Sequence, residues 1–369
     1  FLPLDQIDFR FRTLSVDGVD PIRPEGAANP FRTWLQIRAS SAVQETVADN
    51  LDSTIVAAVD GPAPVSMTWA GDIIIAREVH RRILETGDWA APFRSIYPEL
   101  IRADLTISNL ETSLSDAFET IIYRPNFTFK TDTASIEGLK LAQIDILSRA
   151  NNHSFNYGVQ GMDDTTAVLD AAGILHYGMG NNLEEARRAV VVERGGTTYA
   201  FLGYNGISDD VDGAGPDWAG TMPLTEEYVI EDIQRELAAG HVVIPFFHWG
   251  IEYVYDPSEE QRYFAHLAID QGASLVMGSH PHWVQAVETY RNVPIVYSLG
   301  NFIFDQEWSL ETKQGMMAHV WMQGSKVLKL DLAPILIEDY HKPRLMTPDE
   351  QWALLENVWA ASDWIVDNG

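Results

Sequence analysis

From Val65 onward the chain alternates short apolar runs with helix-like stretches, and the apolar runs end on carboxylate, amide or imidazole side chains. Ser66 to Ala70 leads into Gly71-Asp72, and Asp104 to Ser108 leads into Asn109-Leu110-Glu111. Asp145 to Ala150 leads into Asn151-Asn152-His153, Val242 to Phe247 into His248-Trp249-Gly250, and Ser274 to Gly278 into Ser279-His280-Pro281-His282. Short apolar runs bounded by turn signals read as buried strands, and in α/β folds ligands gather at the carboxyl ends of strands. Strand ends that all present metal-type groups constrain the chain to an α/β sheet protein built around one rim.

Helical patterns fall over Gly158 to Ala172, Glu226 to Ala239 and Ser258 to Gln271, between strands that include Tyr199 to Gly203. Pro294 to Ser298, Met316 to Met322 and Lys326 to Leu332 follow one another without helices, so some antiparallel pairing is expected. Residues 1–64 have no sustained period and close on Gly61-Pro62-Ala63-Pro64, which reads as a linker. They are expected to be an N-terminal extension or the remnant of a further domain, ahead of a core domain at 65–340. Residues 341–369 are expected to form a C-terminal helical segment, with Thr347 and Glu350 as its capping box.

Composition narrows the chemistry. There is no cysteine, so thiolate zinc sites and disulfides are excluded, and any metal must be held by imidazole, carboxylate or amide groups. Such a set suits Mn, Fe or Zn. The 53 acidic against 25 basic residues give a net charge of −28, which opposes attraction to nucleic-acid phosphates and anionic membrane surfaces. Nucleic acid is therefore not an expected partner. No apolar run reaches the ~18 residues of a membrane helix, and Phe1-Leu2-Pro3-Leu4 does not open a signal peptide. The absence of an initiator Met suggests a processed or trimmed chain, which leaves room for a lost export signal or anchor; an extracellular or cell-surface location is the expectation.

Four of the ten histidines, His153, His248, His280 and His282, lie on the strand ends. His80, His176, His241, His266, His319 and His341 lack that context and are expected at the surface or in structural roles. His280 and His282 belong on a loop, because Pro281 restricts the preceding residues to extended geometry, and both rings face one site or two adjacent ions. Glu252 and Tyr253 follow His248 closely enough to line a pocket or orient a ligand. Trp249 and Trp283 are expected to be packing walls.

The segments GDIII, NLETSLSD, ANNHSFNYGVQGMDDT, AGILHYGMGNNLEEA, HWGIEYVYDPSEEQ, MGSHPHWVQAVE and YSLGNFIFD resemble, in order, the bands of the CapA/PgsA family of poly-gamma-glutamate capsule proteins. That family is similar to calcineurin-like metallophosphoesterases. The resemblance covers roughly Ser66 to Asp305. It implies a sandwich of two mixed β-sheets flanked by helices, holding one or two divalent metal ions. It further implies that Asp72, Glu111 and His282 serve one metal, and Glu111, Asn152, His248 and His280 the other. His153 matches an outer-shell histidine, a candidate general acid or transition-state stabiliser. Asn301 matches a family motif near the site. The implied substrate is an anionic polymer or a phosphoester, and the implied partners are membrane-bound capsule synthesis subunits.

Two positions depart from the pattern. The phosphoesterase first block reads Asp-x-His, whereas position 74 is Ile74, which leaves one metal short of a ligand and its site water-filled, weak or absent. Arg149 stands where an apolar residue is usual, either binding an anion or forming a structural salt bridge. Two functions follow. One is a metal-dependent hydrolase of capsule synthesis, anchoring or export that cleaves a phosphoester or a polymer amide bond. The other is a non-catalytic surface scaffold or polymer-binding subunit on the same fold.

Overall fold

The computed structural model describes residues 62–117, 120, 127–207 and 212–368. Most of the expected extension at 1–64 lies outside them. β1 (Val65–Ile73), β2 (Leu105–Leu110), β3 (Ile146–Ser148) and β4 (Leu175–Tyr177) lie side by side and parallel. β5 (Val190–Arg194), β6 (Thr197–Asn205), β7 (Val242–His248), β8 (Val276–Ser279), β9 (Val287–Tyr290) and β10 (Val293–Val296) form a second sheet, in the order β9-β10-β8-β7-β6-β5. β11 (Asn301–Ile303), β12 (Gln314–Gln323), β13 (Lys326–Glu338) and β14 (Lys342–Leu345) return to the first sheet. Its order is β14-β13-β12-β1-β2-β3-β4, with β11 also pairing with β1. Both sheets are mixed, since β12 runs antiparallel to β1 and β5 antiparallel to β6.

The sheets face each other across an apolar core. Met67 and Trp69 of β1 and Ile107 of β2 meet Phe201 of β6, Ile244 and Phe246 of β7, and Met277 of β8. Trp69 stacks on Phe246 with centroids 6.1 Å apart and planes at 4°, and sits 5.9 Å from Phe201. Each such buried aromatic contributes roughly 1.5–3 kcal/mol, so the stack fixes how one sheet lies on the other. α1 (Arg77–Thr86) and α2 (Gly158–Ala172) cover the outer face of the first sheet through Val79, Ile83 and Leu169. α3 (Glu226–Ala238) and α4 (Glu259–Asp270) cover the second through Val229, Ile233, Phe264 and Ala268. The result is the expected two-sheet sandwich flanked by helices.

The C-terminal segment differs from expectation at its start. Residues 342–345 form β14 and pair with β13, and only then does α5 (Pro348–Asn368) begin. Thr347 N donates to Glu350 Oε2 at 2.7 Å and Glu350 N to Thr347 Oγ1 at 3.4 Å, the two legs of the capping box. Leu354 and Val358 of α5 enter the core between the sheets, so the helix is part of the sandwich. No helix among the described residues is long and apolar enough to cross a membrane.

One local device aims the strand ends. The register of β1 shifts between Trp69 and Asp72, as a bulge does, so Trp69 faces the core and Asp72 still turns to the site. Gly71 makes room for it, because a Cβ there would meet Gly300 O at 2.0 Å. That close approach lets Asp72 N donate to Gly300 O at 3.1 Å and brings Asn301 beside Asp72.

Candidate metal centre

The ends of β1, β2, β7 and β8 and the turn after β3 converge. Asp72, Glu111 and His248 have no exposed surface, and His280 and His282 are buried beside them. Two groups have all their ligand atoms within 4.8 Å of one another: Glu111, His248 and His280, and Asp72, Glu111 and His282. Glu111 belongs to both.

The contacts within the cluster fit a bound cation. His248 Nε2 lies 2.7 Å from Asn152 Oδ1, 3.2 Å from His280 Nδ1 and 3.6 Å from Glu111 Oε1. A single ring proton serves one of those three acceptors, whereas a divalent cation serves them all. His248 Nδ1, 3.0 Å from Ser279 Oγ, then donates to that hydroxyl, the outer contact that sets a ligating imidazole's tautomer. Glu111 Oε1 is buried without a hydrogen-bond partner, although a carboxylate left so in a protein interior is costly. Burial, reinforced by the charges of Asp72 and Glu252, raises the Glu111 carboxyl well above the usual range. Burial likewise holds the His248 and His280 rings well below theirs, with neighbouring imidazoles adding to the push. Neutral imidazoles and a carboxyl that keeps its proton until a cation replaces it are the state a metal site has when metal-free.

The loop carrying His280 and His282 corrects one expectation. His280 is not extended, but has φ +97, and His282 has φ +58. Its contacts override the restraint from Pro281: His280 N reaches Asp72 Oδ2 at 3.4 Å, and Tyr253 N donates to Pro281 O at 2.9 Å. His282 Nδ1 lies 2.9 Å from Asn301 Oδ1 and 3.6 Å from Asp72 Oδ2. Asn301 in turn donates to Thr312 O at 2.9 Å, so it orients the His282 ring from a fixed position.

His153 borders the cluster, with Nε2 at 3.8 Å from Glu111 Oε1 and at 3.2 Å from Asn152 Nδ2. Its Nδ1 donates to Asn156 Oδ1 at 3.0 Å, leaving Nε2 with the lone pair. Burial pushes the ring down to about 4. Tyr253 is half-buried with its ring 6.1 Å from that of His282, while Glu252 is exposed and acts on Glu111 through its charge. Arg149 is directed elsewhere: its guanidinium donates to Thr166 Oγ1 at 2.7 Å and Met162 O at 3.1 Å, on α2, near the charges of Asp170 and Asp163 but in no ion pair among the described residues. Ile74 is fully buried with Ala76, Phe129 and Phe304, an apolar wall where an imidazole would otherwise stand. Trp249 stacks on Phe247 at 4.4 Å and is a packing residue.

Sequence reasoning missed the amides that hold the ligands. Asn109 Nδ2 donates to Asp72 Oδ1 at 2.8 Å and lies 3.5 Å from Glu111 Oε2. Asn151 donates to Asn109 Oδ1 at 2.9 Å and accepts from the backbone of His153 and Ser154, which shapes the turn presenting Asn152 and His153. Their position was the available signal, since Asn109 precedes Glu111 by two and Asn151 opens the Asn-Asn-His run. The remaining histidines pair outside the site, such as His266 with Glu288 at 2.8 Å and His241 with Glu236 at 2.9 Å.

The family model of the bacterial capsule synthesis protein PGA_cap matches residues 66–306. The chain is 29% identical over 283 residues to the PGA biosynthesis protein CapA of Bacillus subtilis (strain 168), covering 74% of this chain and 72% of that protein. It is 26% identical over 304 residues to a probable polyglutamine synthesis accessory protein of Mycobacterium tuberculosis, covering 76% and 79%. Among solved structures, a 5'-nucleotidase precursor from Thermus thermophilus aligns with a TM-score of 0.46 at 13% identity, over 83% of this chain and 59% of that one.

Proposed function

We propose, for a chain that belongs to the bacterial capsule synthesis protein PGA_cap family, that it is a metal-dependent hydrolase of poly-gamma-glutamate capsule synthesis. The reading rests on one observation, the buried Glu111 carboxylate shared by two groups of ligand atoms and left with an unpartnered oxygen. Glu111, Asn152, His248 and His280 would hold one cation, and Asp72, Glu111 and His282 the other. Mn, Fe or Zn bound there would supply Lewis acidity and a bound water of lowered pKa. The protein's part is to hold the donors in place. Asn109 and Asn301 fix Asp72 and His282, Ser279 orients His248, and His153 offers Nε2 at the edge of the cluster as a proton acceptor. The substrate is a phosphoester or an amide of the anionic polymer. Work beside other capsule synthesis subunits fits the biosynthesis and accessory roles that its relatives' names print, and membrane-bound partners and a cell-surface location belong to the same proposal.

Metal analysis followed by assays on phosphomonoesters, phosphodiesters and poly-gamma-glutamate tests this. A metal-free protein that stays inactive on all three after Mn reconstitution would overturn it. Ile74 favours a second reading, a polymer-binding scaffold with at most one firmly held ion, because the apolar wall supplies no donor on its side. Full restoration of capsule by His248→Ala in a deletion strain would select that reading, and loss of capsule the hydrolase.

A further inference from the structure

Nine non-glycine residues among those described have positive φ, and four of them surround the candidate metal centre: Arg77, Tyr253, His280 and His282, at φ +48, +66, +97 and +58. Arg291-Asn292 and Asp339-Tyr340 lie in the turns between β9 and β10 and between β13 and β14, and Gln143 follows a helix end. Those five are explained by their turns. Strain held at the other four, away from a tight hairpin, is the kind that persists where a site over-determines the backbone. His280 and His282 already have a role; Arg77 does not.

The Arg77 guanidinium lies 5.1 Å from the ring centroid of Phe129 and 4.9 Å from that of Phe304, which places it against the apolar wall around Ile74. Each of those rings touches a histidine of the site, Phe129 meeting His153 at 4.3 Å and Phe304 meeting His282 at 5.3 Å. Asp305 holds the guanidinium by an ion pair and also accepts from Glu78 N at 2.9 Å, so the arm is anchored to the start of α1. The Arg77 side chain keeps 33% of its surface exposed against 6% for Asp305. A guanidinium flanked by aromatic faces and fixed from behind loses little entropy on binding an oxyanion.

We propose that Arg77 is the anion-binding residue of the site, taking a phosphate or carboxylate oxygen of the substrate on the Phe129 and Phe304 side of the metal centre. The assignment rests on the reading of that centre as a substrate site. Its logic is electrostatic. Glu252 stands at the rim and the chain carries a net charge of −28, so a fixed positive charge beside the cations helps to draw in an anionic substrate. The guanidinium stands against the two rings that touch His153 and His282, so its charge lies beside the site. Arg77 then adds to the pull of the cations on a negatively charged substrate.

The test uses Mn-saturated protein and two probes, inorganic phosphate and a short γ-glutamyl oligomer, measured by isothermal titration calorimetry. Arg77→Met should weaken at least one probe by about tenfold or more, the scale of a lost charge-assisted contact, with Mn affinity unchanged. Loss confined to phosphate assigns a phosphoester, and loss confined to the oligomer assigns the polymer carboxylate. Arg77→Lys keeps the charge but not the two-pronged hold of Nε and Nη2 on Asp305 and should fall between; it carries the test if the methionine variant does not fold. Unchanged binding of both probes, or a Mn-loaded wild type that binds neither, overturns the proposal. A wild type that takes up no Mn overturns the metal reading instead. Phosphate binding by the metal-free chain, lost in Arg77→Met, would then still establish Arg77, and its absence would refute it.

Discussion

Replacing Glu111 by Gln separates a metal ligand from an ordinary buried carboxylate. The side chain has no exposed surface, its Oε1 has no hydrogen-bond partner, and its nearest ring nitrogens are at 3.6 and 3.8 Å. In the metal-free chain the amide removes a group whose ionised form costs several kcal/mol to bury unpaired, so Glu111→Gln should melt at or above the wild-type temperature at pH 8. The pH dependence has a defined sign. The folded Glu111 carboxyl is raised, so between its unfolded and folded values the native state holds the extra proton and stability falls as pH rises. The buried histidines tilt the opposite way, so the difference between variant and wild type carries the test. Adding Mn at a hundred times its dissociation constant should stabilise wild type by about 2.7 kcal/mol, on the order of 5 °C in melting temperature. Glu111→Gln loses the carboxylate shared by both ligand groups and should keep less than about 2 °C of that shift. Differential scanning fluorimetry with and without Mn, from pH 5 to 8, measures all three quantities. A variant stabilised by Mn as much as wild type, or one that melts well below it when metal-free, would refute the reasoning.

Other perturbations read separate parts of the structure. Asn301→Ala removes the 2.9 Å contact to His282 Nδ1 and should weaken one of two Mn-binding steps by roughly 10–100-fold while sparing the other, as a calorimetric titration would show. Gly71→Ala forces a Cβ to 2.0 Å from Gly300 O, backbone against backbone, and should cost about 3 kcal/mol in urea unfolding; a loss under ~1 kcal/mol would mean the bulge is not tight. His153 sits at about 4 because it is buried, so its native state holds fewer protons than the unfolded chain between about 4 and about 6.5, and stability is lost as pH falls through that window. His153→Gln should recover up to about 3 kcal/mol of that acid-side loss in metal-free protein, measured by urea unfolding at pH 4 and 7.

The sandwich was legible because its strands are fully buried apolar runs, and their polar ends marked the rim: Asp72, Glu111, Asn152, His248, His280 and His282 do converge. What was not legible depends on contacts across long sequence separations. Asn109 ties together Asp72 and Glu111, yet reads in isolation as one more polar strand residue. The positive φ of His280 contradicts the local restraint of Pro281, because contacts to Asp72 and Tyr253 from other elements outweigh it. Arg149 read as an anion binder or salt-bridge partner, but Met162 and Thr166 of α2 supply neutral oxygens that take its guanidinium. The C-terminal segment read as helix alone because Lys342–Leu345 is too short to show a period, and its pairing with β13 decides its form.

The central claim is that Glu111, Asn152, His248 and His280 hold a divalent cation. Anomalous diffraction from crystals grown with Mn tests it most directly. The expected result is a strong peak within coordination distance of those four side chains, with a second, weaker one beside Asp72 and His282. A cluster that stays free of anomalous density, with His248 Nε2 simply donating to Asn152, would contradict it.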